Sequence, residues 1–143
     1  MNLEKKTEQD IMDLLQSEDP SIRTEVLYNI AFEVVDSEKI KMIAQLILDE
    51  DKSVRNAASN FLIQNNNPLI PYTVLDFTSS ADISVRNLAG EILLKKGEGS
   101  VEAICERLPS VKDDDDIKFL IDILGLIGDK TSEDLIIDIL MVN

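Results

Sequence analysis

The sequence has no histidine and no tryptophan, a single cysteine, and aromatic residues at only 4%. Without His there is no Ser-His-Asp or Cys-His catalytic arrangement and no imidazole ligand for a metal. Cys105 alone can form neither an internal disulfide nor a CxxC pair. With so few rings the core must be aliphatic, drawn from the 44% of residues that are apolar. Positive charge is also scarce: 14 Lys and Arg stand against 28 Asp and Glu, a formal net charge of −14 at pH 7. Sequence-independent binding to nucleic acid needs a Lys/Arg surface that displaces phosphate counterions, so no nucleic-acid partner is expected. Anionic membrane surfaces are disfavoured for the same reason. Apolar stretches such as Leu135–Ile137 and Ile139–Val142 fall far short of the roughly 20 residues that span a bilayer. Met1–Asp10 is charged and lacks the apolar run of a secretory signal, and with one free thiol the expected location is cytoplasmic.

What the sequence does contain is a repeat. Asp19-Pro-Ser-Ile-Arg23 returns as Asp51-Lys-Ser-Val-Arg55, as Asp82-Ile-Ser-Val-Arg86 and, more weakly, as Asp114-Asp-Asp-Ile-Lys118. The leading aspartates are spaced 32, 31 and 32 residues apart. Each pentapeptide reads as a helix start. Asp is a preferred N-cap, and Pro20 sits where its missing N–H leaves no bond unmade. Apolar residues then follow at intervals of four: Ile22, Val26 and Ile30; Val54, Ala58 and Leu62; Val85, Ala89 and Leu93. Leu27 and Val34 are expected to widen the first buried stripe.

Between successive copies lies a helix of another kind. Ser37–Asp49 carries Ile40, Ile43, Ala44 and Ile47 at helical spacing, and Thr7–Ser17, Pro68–Thr78, Ser100–Leu108 and Thr131–Leu140 follow suit. Asn65–Asn67, Lys96–Gly99 and Gly128–Asp129 are the breakers. Five helices of this first kind therefore alternate with four of the second, nine in all, with no period-two segment that would predict a strand. A pair of about 31 residues is too small to hold a core alone, so stacking is required. The expected fold is an all-α solenoid of about four and a half helical hairpins over residues 1–143, with units near 7–36, 37–67, 68–99, 100–130 and a half unit 131–143.

Asp-x-x-Val-Arg-x-x-Ala, as at Asp51–Ala58 and Asp82–Ala89, resembles the short HEAT-like repeat named after phycobilisome lyases. Ile123-Leu-Gly-Leu-Ile-Gly-Asp129 is similar to the family's Leu-Gly-x-Ile-Gly-Asp ending, and Leu135–Leu140 to the opening helix of a further unit. The resemblance runs from about Thr7 to Leu140. It departs from the pattern in having Gly-Asp only after the fourth unit, whose second helix is about one residue short. It implies that the second helices line the concave face. It also implies a structural ladder in which Arg23, Arg55, Arg86 and Lys118 bridge the turns bearing Asp19, Asp51, Asp82 and Asp114.

The face opposite the buried stripe then reads Thr24, Glu25, Tyr28 and Phe32 in the first unit. It continues as Asn56, Ala57, Asn60 and Gln64 in the second and Asn87, Leu88, Glu91 and Lys95 in the third. Its polar members form an amide-rich surface with two aromatic anchors, Tyr28 and Phe32, as peptide recognition requires. The acid-rich turns, Asp113–Asp116 among them, lack the spacing of a calcium loop and read as caps in solvent, so no metal or other cofactor is expected. Cys105 follows core spacing from Val101 and Ile104 and reads as a small buried hydrophobe. The expected function is a non-catalytic scaffold that binds a protein or peptide, basic if charge guides it, on the concave face. The alternative is a subunit of a bilin lyase or isomerase acting on a tetrapyrrole-carrying protein, which the resemblance implies at the level of fold. The closing helix, with Leu135, Ile136, Ile139 and Leu140, ends without a polar outer side. Either a further unit or end-to-end self-association is therefore expected there.

Overall fold

The computed structural model describes residues 8–128. Among the described residues the chain is all-helical, with eight α-helices, three short 3-10 turns and no strand. The α-helices are α1 Glu8–Leu15, α2 Pro20–Asn29, α3 Ser37–Gln45, α4 Lys52–Gln64, α5 Ile70–Val74, α6 Ile83–Lys96, α7 Glu98–Arg107 and α8 Asp114–Ile127. The 3-10 turns Leu46–Leu48, Leu75–Phe77 and Leu108–Ser110 tighten the ends of α3, α5 and α7. The expected helix Thr131–Leu140 lies outside the described residues. None of the described helices is long and apolar enough to cross a membrane. The chain divides into two compact units, one ending at Ile70 and the other beginning at Pro71.

Aspartate caps start five of the described helices, and in the four that carry the repeat they set the rotation. Asp19 accepts from the Ser21 amide, Asp51 from those of Ser53 and Val54, Asp82 from that of Ser84, and Asp113 from that of Asp116. The fourth cap is therefore Asp113, not Asp114, and the caps fall 32, 31 and 31 residues apart. Counting from the cap, the seventh and eleventh residues are buried every time: Val26 and Ile30, Ala58 and Leu62, Ala89 and Leu93, Leu120 and Leu124. Starting α8 at its true cap restores the residue that the pentapeptide alignment left missing. It also moves Lys118 out of line with the arginines, and Lys118 is exposed.

In the first unit α1 packs on α2, α2 on α4, and α3 on α4. Ile40, Ile43, Ala44 and Ile47 are completely buried, as their spacing requires. Because α4 is covered from two sides, its apolar arc is wider than one stripe: Ala57 and Phe61 are buried beside Ala58 and Leu62. Ala57 thus does not belong to an exposed face. Val34 does not widen the stripe of α2 either. That helix ends at Asn29, and Val34 is fully exposed in the turn that follows.

In the second unit α6 packs on α7 and α8, and α7 on α8. Gly97 joins α6 to α7 as a single residue with φ of 59°, a value that L side chains rarely adopt, so α7 starts two residues earlier than expected. The buried Ser100 hydroxyl closes this corner by donating to the Leu93 carbonyl at 2.7 Å. Gly90 lets α8 approach α6 closely: a Cβ there would lie 2.6 Å from Cζ of Phe119. The same ring carries the Arg86 guanidinium 4.7 Å from its centre.

Candidate functional site

The repeated arginines hold turns. In α2, Arg23 donates to the Ser17 carbonyl and pairs with the Asp49 carboxylate at 3.0 Å, across to the turn that precedes α4. Arg55 donates to the carbonyls of Asp49 and Glu50 at 2.8 and 3.0 Å. Arg86 donates to the Asp115 carbonyl at 3.1 Å and lies 3.4 Å from the Asp116 carboxylate. The aspartate run that opens α8 is thus divided between a cap, Asp113, and first-turn acceptors for Arg86, the Asp115 carbonyl and the Asp116 carboxylate. No cluster of three or more metal-ligating side chains occurs among the described residues. Cys105 is half-buried rather than fully enclosed.

A second set of cross-links, not anticipated from the sequence, holds the turn after α2. Asn65 is buried, and its side-chain amide donates to the carbonyls of Ala31 and Glu33 at 3.0 and 2.8 Å. Asn67 donates to the Val35 carbonyl at 2.9 Å. With these carbonyls bonded to the asparagines, residues 31–35 lie outside the helix, which ends at Asn29. Phe32 therefore sits in a tight turn, closed by the Glu33 amide donating to the Ile30 carbonyl at 2.9 Å, and not one helical row beyond Tyr28. The only sign in the sequence is the Asn65–Asn67 run itself, which reads as a loop signal without a partner.

The turn and the asparagine run enclose a groove of about 300 Å³ lined by Phe32–Val35 and Gln64–Pro68. Phe32 is 80% exposed, and Val34 and Pro68 are exposed too, while Val35 is buried. Just beyond the groove, the Asp36 carboxylate caps α3. It accepts from the Lys39 amide at 3.0 Å and stands 3.5 Å from the Lys39 ammonium. The backbone bond in particular holds this carboxyl below its ordinary value.

The structure brings together only some of the residues singled out in the sequence. Phe32 and Gln64 share this groove. Thr24 and Glu25 line a separate, shallower depression of about 310 Å³ with Pro20, Ser21, Asp51 and Ser53. The Thr24 hydroxyl is buried there without a hydrogen-bond partner among the described residues. Tyr28 is 51% exposed, Asn56 is exposed and Asn60 half-buried, and none of these three lines either depression. In the second unit Asn87 is exposed, Leu88 is half-buried, and Glu91 pairs with Lys95 at 2.9 Å along α6. No family model matches the chain, and no curated protein matches it in sequence.

Proposed function

We propose that this protein is a non-catalytic interaction module of HEAT-like stacked hairpins, and that it takes a protein or peptide partner on the first unit through its exposed aromatic residues, Phe32 and Tyr28. One observation carries the reading. Phe32 is 80% exposed in a turn that buried Asn65 holds open through two hydrogen bonds. A large ring kept in water by a buried polar clamp gains nothing for the isolated chain, whereas aromatic side chains dominate binding energy when a partner covers them. The regular Asp caps and turn-holding arginines support a stacked array as the scaffold. The acidic composition favours a basic partner, and a lone cysteine suits a reducing compartment such as the cytoplasm.

The reading is tested by capture from lysate on the immobilised full chain and on a variant carrying both Tyr28→Ala and Phe32→Ala. The expected result is a partner retained by the parent and lost by the variant, with helicity by circular dichroism unchanged. Equal retention by both would place binding elsewhere and overturn the assignment.

A further inference from the structure

We infer that the groove beside Phe32 receives an extended segment of another protein in which an apolar side chain is flanked by lysine or arginine. This partner chemistry rests on the interaction-module reading above and makes it specific.

The apolar character of the groove comes from Phe32, Val34 and Pro68, all exposed, with Val35 buried beside them. That arrangement suits one aliphatic or aromatic side chain entering from outside. Polar recognition comes from Gln64 and Asn66. Both line the groove, both are exposed, and neither carboxamide makes a hydrogen bond among the described residues. Their neighbours Asn65 and Asn67 are already engaged with the carbonyls of the 31–35 turn. Each free carboxamide offers donors on one side and an acceptor on the other, as an extended peptide backbone presents in return.

Charge selects what flanks the anchor. Glu33 is the only charged residue lining the groove, and its carboxylate has no ion-pair partner among the described residues. No Lys or Arg lines it. Lys39, which follows the turn, is buried and held beside Asp36. An unpaired carboxylate at an apolar slot, within a chain of net charge −14, attracts a cation next to the anchor and speeds encounter with a basic segment. A second copy of this chain brings the same negative charge and is repelled.

The test is selection of a displayed random-peptide library on the full chain. Synthetic copies of the enriched peptides are then titrated by fluorescence anisotropy against the parent, Phe32→Ser, Glu33→Lys and the double variant Gln64→Ala with Asn66→Ala. Enriched peptides are expected to place Lys or Arg beside Leu, Ile, Met or Phe. Phe32→Ser should weaken them about tenfold or more, in the range of an interface anchor. Glu33→Lys should weaken them several-fold at low salt and less at high salt, where the charge is screened. Unchanged helicity is checked for every variant. If Phe32→Ser loses helicity, the carboxamide pair tests the same groove without touching the ring.

Enriched peptides with acidic or uncharged flanks, or affinities unmoved by every substitution, would overturn the inference. So would light scattering that reveals a dimer dependent on Phe32. If no peptide is enriched while lysate capture still depends on Tyr28 and Phe32, this inference falls and the interaction-module reading stands. If lysate capture fails as well, both fall.

Discussion

At the scale of single residues, close packing and buried polar bonds decide what each position tolerates. Gly90 lies in the middle of α6, where Ala would ordinarily add about 0.5–1 kcal/mol by helix propensity. Its missing Cβ is where the tip of Phe119 sits, and Arg86, one turn earlier on the same helix, lies over that ring. Forcing the ring aside costs about 1–3 kcal/mol, so the clash wins. Gly90→Ala should lower stability by about 1 kcal/mol in urea titration, and the loss should vanish or reverse in a Phe119→Leu background. If the substitution stabilises the parent, the half-buried Phe119 ring swings aside at little cost and the contact does not hold Gly90 in place. Asn65 makes a different demand, because two carbonyls require donors from it. Asn65→Asp puts a carboxylate against them and should cost about 2 kcal/mol or more at neutral pH. The carbonyl dipoles and burial raise the folded pKa of the new carboxyl above its unfolded value near about 4. The penalty should therefore grow as pH rises from that value and level off above the folded pKa. Urea midpoints for parent and variant at pH 5 and pH 7 give the check, and a gap independent of pH would contradict it.

At the scale of helices, the caps explain both what could be read from the sequence and what could not. Asp19, Asp51 and Asp82 each precede an apolar residue and an Arg at fixed distance, so the starts and buried columns of α2, α4 and α6 are legible from the pentapeptide. At the start of α8, four consecutive aspartates are equally good caps by type, and only packing of Leu120 and Leu124 selects Asp113. The end of α2 is hidden for another reason. Ile30 to Val34 remain helix-compatible locally, and the asparagines that draw the chain away lie more than thirty positions onward in sequence. The groove is therefore legible in part: Phe32 and Gln64 stand out in the sequence, Asn65 and Asn67 do not. Capping also makes a helix sensitive to acid. Asp36 opens α3, and its carboxyl is held below its ordinary value of 3.8 chiefly by the Lys39 amide. A depressed folded pKa means that this stability is present above the unfolded value and is lost as pH falls through the folded one. Asp36→Asn keeps a side-chain oxygen for the cap and cannot titrate. The parent should lose more stability than this variant on acidification below pH 4, read as thermal midpoints. Identical acid slopes would remove the cap from the account.

At the scale of the whole chain, two electrostatic effects oppose each other. Ion pairs such as Arg23–Asp49 and Arg86–Asp116 weaken with added salt, while the repulsion expected from a net charge of −14 is relieved by it. The pairs among the described residues are few and partly exposed, so each is worth about 1 kcal/mol or less, and the repulsion acts over all 28 acids. The thermal midpoint should therefore rise between low and physiological ionic strength, and a fall would show that the ion pairs dominate. The caps have one more consequence, for insertions and deletions. Each aspartate restarts the rotation of its helix, so the interval can be 32 or 31 residues while the same columns stay inside. A residue gained or lost in a turn ahead of a cap leaves the rotation of the helix unchanged and strains at most the arginine bonds to that turn. The same change one turn into the helix would rotate everything after it by about 100° and carry Leu120 or its equivalents toward water. Viable length variants of this gene should therefore cluster immediately before the aspartates and be absent from the helices that follow them.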